Sequence, residues 1–152
     1  MSAHSAGILL YQRVDGVLHV LLAHPGGPFW RGRDAGAWSV PKGEYADDED
    51  QLTAARREFR EELGSDPPRV LLPLGEIRQK SGKHVTAFAA EGAFDPAQLR
   101  SNLFEIEWPP RSGRRAAFPE IDQVAWFTLD EARKKILSAQ AELLARLEAA
   151  LR

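Results

Sequence analysis

Glu58, Glu61 and Glu62 lie in the run GEYADDEDQLTAARREFREELGS, residues 43–65, at spacings that make helical neighbours of three carboxylates. Turned at about 100° per residue they share one face, while Leu52, Ala55, Phe59 and Leu63 form a narrow apolar stripe about 130° away. Like charges at i, i+3 and i+4 repel by a few tenths of a kcal/mol per pair unless a cation sits among them. The cations that suit several carboxylate oxygens while keeping waters of their own are Mg2+ and, as a substitute, Mn2+. The blander reading is a solvated acidic face. Helix geometry taken alone favours it, because charge runs usually are that.

Carboxylates on one face need a helix with defined ends and a framework to hold it. The apolar stripe predicts a helix over about 50–63, with Gly64 as its stop. Residues 6–13 and 17–24 are rich in Ile, Leu and Val and flank Val14-Asp15-Gly16, a hairpin signal. The second strand is apolar on both faces, as a central strand would be, which makes His19 a core or edge residue rather than a catalytic one. His24-Pro25-Gly26-Gly27-Pro28-Phe29-Trp30 then breaks regular structure. Further strands are expected at about 70–78, 85–90, 103–108 and 124–127. Thr128-Leu129-Asp130-Glu131 has the pattern of a capping box, opening a helix to about residue 137. A last helix from about Ser138 carries Leu143, Leu147 and Leu151 at intervals of four, a stripe for the core or for an interface.

With 152 residues, 43% hydrophobic and 28% charged, the chain has the composition of one globular domain. A net charge of −2 argues against a protein that neutralises nucleic-acid phosphates over its whole surface. Lacking cysteine, it has no disulfide, thiolate nucleophile or Cys-based zinc site, and His4, His19, His24 and His84 show no zinc-type spacing. Neither a signal peptide nor an apolar run long enough for a membrane span is visible, so a cytoplasmic location is expected.

Gly43, five residues, Glu49, seven residues, then Arg57-Glu58-Phe59-Arg60-Glu61-Glu62-Leu63-Gly64 resembles the Nudix box, G-x5-E-x7-R-E-u-x-E-E-x-G-u with u a bulky apolar residue. Seven fixed positions at roughly 7% usage each match by chance at about one start in a hundred million. Ser65, at the last apolar position, is the one departure. The resemblance covers about residues 6–137. It implies the family's α+β fold, an α/β/α sandwich with a mixed β-sheet and a loop–helix–loop box at 43–65, in a single domain over 1–152. It also implies metal ligands at Glu58, Glu61, Glu62 and the Gly43 carbonyl, with Glu49 and Arg57 bracing the loop against the helix. The proton acceptor is expected either at Glu58 or at Glu120 in Phe118-Pro119-Glu120-Ile121-Asp122, with Asp122 in reserve.

Trp38-Ser39-Val40-Pro41-Lys42-Gly43 is similar to the W-x-x-P-K-G of diadenosine polyphosphate hydrolases. The implied activity is Mg2+-dependent cleavage of a phosphoanhydride bond in a dinucleoside polyphosphate or nucleoside triphosphate. Alternatives are a diphosphoinositol polyphosphate or oxidised-nucleotide hydrolase, or a nucleotide-binding Nudix module without catalysis. Lys42, Lys80, Lys83, Arg111 and Arg114 are candidate phosphate contacts, each otherwise a solvated charge. Phe29 and Trp30 either stack a base or cap the core. The expected partners are small nucleotides rather than nucleic acid or membrane, with the chain a monomer or a homodimer.

Overall fold

The computed structural model describes residues 4–152. β1 (His4–Val14) and β2 (Val17–Pro25) form the expected antiparallel hairpin, with Asp15 and Gly16 at φ 52° and 79°. Positive φ at both central residues is what a two-residue turn matched to strand twist demands. β2 pairs on its other side with β8 (Ile121–Thr128) and is central, as its two apolar faces predict. β1 runs parallel to β5 (His84–Glu91), which pairs with β4 (Leu72–Arg78). The resulting order is β4-β5-β1-β2-β8, with a short β3 (Lys42–Glu44) laid antiparallel against the start of β1. β6 (Leu103–Glu107) and β7 (Arg115–Pro119) form a separate two-stranded ribbon.

Alternate side chains of a strand leave by opposite faces, so one sheet feeds two cores. Ile8 and Leu10 pack with Ala55 and Phe59 of α1 (Gln51–Leu63). Leu9 joins Ala132 of α2 (Leu129–Lys135) and Leu143, Leu144 and Leu147 of α3 (Ala141–Ala150) in the other cluster. The mixed sheet thus lies between helix layers, the α/β/α arrangement of the α+β class. Leu143 and Leu147 are fully buried and Leu151 packs against the same cluster, so this stripe serves the core. Among the described residues, no helix is long and apolar enough to cross a membrane.

α1 has both of its expected ends. The Asp50 carboxylate accepts the Thr53 N–H at 3.1 Å, and Gly64, at φ 86°, donates its own N–H to the Arg60 carbonyl at 2.8 Å. A Cβ on Gly64 would stand 2.6 Å from Arg100 Cβ, so glycine is needed there for space as well as for conformation. α2 opens on the Thr128–Glu131 capping box read from the sequence.

Several expectations need correction. The buried arc of α1 takes in Ala54, Ala55, Glu58, Phe59, Glu62 and Leu63, wider than the sequence stripe, and it leaves Leu52 in the first turn 38% exposed. A strand absent from the expected set, β7 at Arg115–Pro119, forms through cross-strand pairing with β6. β3 has no apolar alternation of its own and exists because β1 offers it hydrogen bonds. α2 ends at Lys135, and Ser138–Gln140 is a 3-10 turn before α3 begins.

Candidate active site

The face of α1 turned toward β3 carries Glu58 and Glu62, both buried, with Glu61 exposed beside them. β3 brings Gly43 against this face: a Cβ built there would lie 2.0 Å from Glu58 Oε2. Only a hydrogen fits between the strand and the carboxylate. Gly43 Cα is held opposite Ala6 by the β1–β3 ladder, so its place is set by the sheet rather than by the helix.

Arg57 ties the approach loop to the helix. Its Nε and Nη2 each donate to one oxygen of Glu49 at 2.9 Å, while Nη1 donates to Glu58 at 2.8 Å and to Glu61 at 3.2 Å. The fork-to-carboxylate geometry fixes both partners at once. Hydrogen bonding to Arg57 holds the Glu49 carboxyl below its usual value, and Glu49, followed by Glu58, holds the guanidinium firmly protonated.

Glu120 comes from the far side of the fold, between β7 and β8. Its N–H donates to the Asn102 carbonyl at 2.8 Å and its own carbonyl accepts the Gly26 N–H at 2.9 Å. These two bonds suspend it over a cavity of about 380 Å³ whose walls include Gly43, Glu58, Glu61, Glu62 and Asn102. An adjoining cavity of about 220 Å³ is bounded by Trp30, Lys42, Glu62, Glu120 and Leu137.

Burial, then the neighbouring Glu58, pushes the Glu62 carboxyl up to about 9. Its Oε2 is buried without a hydrogen-bond partner. Burial also raises Glu58, against the opposing pull of Arg57, and raises Glu120. Lys42 is pushed down by burial and by Lys83. The carboxylates of this pocket are crowded and partly dehydrated, and Lys42 in its wall and Arg57 beside it still leave one buried Glu62 oxygen without a donor. A hard divalent cation fits this donor set, because it meets the orphaned Glu62 oxygen and the mutual repulsion together. Among the described residues no three such side chains already stand around a common point as ligands. Arg57 draws Glu58 and Glu61 toward its own guanidinium.

The remaining candidates divide. Lys83 pairs with Glu44 at 3.0 Å beside Lys42, whereas Lys80, on the same turn, lines a different cavity. Arg111 and Arg114 are exposed on the turn joining β6 to β7. Asp122 accepts from His24 Nδ1 at 2.8 Å, and the other ring nitrogen of His24 lies 2.6 Å from the Arg33 carbonyl, so that pair braces the Pro/Gly loop. Trp30 is half-buried against the core and borders the cleft, while Phe29 is 62% exposed and stands edge-on to Trp108 at 5.7 Å. Two participants escaped the sequence reading. Asn102 sits in the wall, and Gln140, fully buried, accepts the Val40 N–H at 2.9 Å just before the Pro41-Lys42-Gly43 segment. Neither lies in a motif.

The model of the NUDIX domain matches residues 1–147, and the chain belongs to the Nudix family. Membership implies pyrophosphohydrolase activity in general, supported by a divalent cation such as Mg2+. Among solved structures, a Caenorhabditis elegans Ap4A hydrolase binary complex is similar at 22% identity and a TM-score of 0.68, over 97% of each chain. The NUDIX domain of Shewanella oneidensis NrtR complexed with ADP ribose is similar at 18% identity and a TM-score of 0.69, over all of this chain and 90% of that one. The C-terminal domain of mouse MUTYH, in its complex with human PCNA, matches at 18% identity and a TM-score of 0.63, over 99% of this chain and 90% of that one. At these identities the likeness is one of fold. A comparison with curated proteins gives no match.

Proposed function

We propose that this chain is a divalent-cation-dependent hydrolase that cleaves a phosphoanhydride bond in a dinucleoside polyphosphate or a nucleoside triphosphate. The observation that carries the reading is the convergence of Glu58, Glu61, Glu62 and Glu120 on one cavity floored by Gly43, with a buried Glu62 oxygen left unpartnered. Glu58, Glu61, Glu62 and the Gly43 carbonyl would hold the cation. Bound there, Mg2+ supplies an acidified water and charge neutralisation on the phosphoryl oxygens.

The chain's own residues do the rest. Glu120, with its carboxyl raised by burial and no pairing to an arginine, takes the proton of the attacking water at its side-chain oxygen. Glu58 is the less suited acceptor because Arg57 already donates to it at 2.8 Å. Arg57 and Glu49 keep the loop and helix in register. Lys42 and Lys83 face the phosphates as point charges, and Arg111 and Arg114 extend positive charge toward the outer part of a long polyphosphate. Trp30, on the cleft wall, takes the base. Structural likeness to an Ap4A hydrolase and to a domain holding ADP ribose supports a nucleotide substrate.

The test is product analysis with Mg2+ on a panel of diadenosine tetraphosphate, ADP-ribose, ordinary and oxidised dNTPs, and diphosphoinositol phosphates, with Glu62→Gln as control. ATP plus AMP from the dinucleotide, absent in the control, supports the proposal. A panel that survives intact refutes it and leaves a binding module as the alternative.

A further inference from the structure

We propose that the chain carries a second ligand site, for a phosphorylated nucleoside, between the turn joining β4 to β5 and the segment joining α2 to α3. A cavity of about 590 Å³ lies there. That is within the roughly 300–1,000 Å³ of small-molecule sites. It is larger than either cavity at the carboxylates.

Lys80, Arg133 and Lys134 line it, and no carboxylate does. Arg133 is shared with Asp130 at 2.8 Å and Glu148 at 3.3 Å. The sequence neighbours Lys83 and Lys135 are paired with Glu44 and Asp34, whereas among the described residues Lys80 and Lys134 have no ion-pair partner. In a chain of net charge −2, two unpaired lysines facing one cavity form a local excess of positive charge. Ser81 and Ser138 add hydroxyls, and Ile136, Leu137 and Ala139 give an apolar wall. A ligand matching this lining has an anionic group at one end and a largely apolar body at the other, with Gln79, Ser81 and Ser138 as polar contacts between them, and a phosphorylated nucleoside supplies all three.

The cavity is also wired to the catalytic loop. Gln79, in its lining, accepts from Gln140 Nε2 at 3.2 Å; the same nitrogen donates to Ser39 Oγ at 3.0 Å, and Gln140 Oε1 accepts the Val40 N–H at 2.9 Å. A ligand contacting Gln79 is therefore two side chains from Val40, which precedes the strand that carries Lys42 and Gly43 by two residues. Leu137 borders both this cavity and the cleft that holds Glu62 and Glu120. The phosphorylated nucleoside has two sources, the far end of the substrate itself or a free nucleotide. Only the first rests on the function proposed above.

The test follows ADP binding to the full chain in EDTA by amide NMR at Ser81 and Ala139. Wild type and Glu62→Gln are expected to show saturable shifts at these amides, and Lys80→Glu with Lys134→Glu is expected to bind about tenfold more weakly or worse. The Val40 amide should move with them in wild type and stay still in Gln79→Ala. Affinity within about threefold of wild type in the double variant, or no shift at Ser81 and Ala139, overturns the site. With Mg2+, a KM for diadenosine tetraphosphate raised about tenfold in the double variant, with nucleoside triphosphate turnover unchanged, identifies the substrate's far end. A change in wild-type nucleoside triphosphate turnover on adding AMP, lost in the double variant, identifies a free nucleotide. A chain that hydrolyses nothing refutes the proposed function alone, because the NMR titration in EDTA decides the site independently.

Discussion

Gly43→Ala adds one methyl group where α1 meets β3. That carbon would lie 2.0 Å from Glu58 Oε2 and 2.1 Å from its Cδ, and ordinary contact begins near 3.4 Å, so about 1.4 Å of retreat is required. The strand cannot supply it without breaking the pairing of Gly43 with Ala6. The retreat falls on Glu58, which is buried and bonded to Arg57 at 2.8 Å. A misplacement of about 1 Å in a positioned group costs about 10²-fold in rate, close to 2.7 kcal/mol of transition-state stabilisation. Overpacking of this kind destabilises a fold by about 1–3 kcal/mol, worth roughly 2–4 °C of Tm per kcal/mol at this size. At 25 °C the variant is therefore expected to be folded, with kcat about a hundredfold lower and a higher Mg2+ requirement. Initial rates across a Mg2+ series, paired with thermal denaturation, read both quantities. A folded variant turning over within about threefold of wild type would refute the placement of Glu58 and Gly43 in one metal-holding unit.

Glu62 makes a pH prediction. Its carboxyl rises from 4.5 to about 9 on folding, so between those values the folded chain holds a proton that the unfolded chain has released. Its contribution to stability is whole below the unfolded value and declines as pH rises toward the folded one. In EDTA, Glu62→Gln should raise Tm over wild type at pH 8 and converge with it at pH 5; a gap of equal size at both pH values contradicts the burial argument. Glu120→Gln is expected to lower kcat by about 10²–10³-fold with little change in Tm, since the side chain is only partly buried. Near-normal turnover removes Glu120 from proton transfer. Trp30→Ala should raise KM for the best nucleotide by about tenfold, the worth of one stacked base, and also lower Tm, because the ring packs on the core. An unchanged KM would confine Trp30 to the core.

What was legible in the sequence was what neighbouring residues decide among themselves. α1 runs between an Asp50 cap and a left-handed Gly64, and the capping hydrogen bond at each end is made within four residues. The Asp15-Gly16 turn and the Thr128–Glu131 capping box are equally local. The Nudix box is legible for the same reason. Its Arg57–Glu58–Glu61 contacts are made within one helix turn, and the Glu49 partner is eight residues away. The buried arc of α1 was less clear, because the sheet and not the helix chooses which residues are covered, and it left Leu52 outside.

The wall opposite the box is another matter. Glu120 reaches the carboxylates through bonds to Asn102 and Gly26, residues far from it in the chain. Lys80 and Lys83 share one turn, yet Lys80 lines the cavity beside α2 while Lys83 pairs with Glu44, and the adjacent Phe29 and Trp30 part between solvent and core. Gln140, an ordinary polar residue by pattern, is fully buried because Val40, Ser39 and Gln79 meet around it. By itself the sequence determined the helix, its caps and the carboxylates it bears, because backbone propensity and i, i+4 geometry act over a few residues. The tertiary structure alone decided what faces those carboxylates, because strand pairing across the sheet and the closing of buried hydrogen bonds join segments whose separation leaves no periodic trace in the chain.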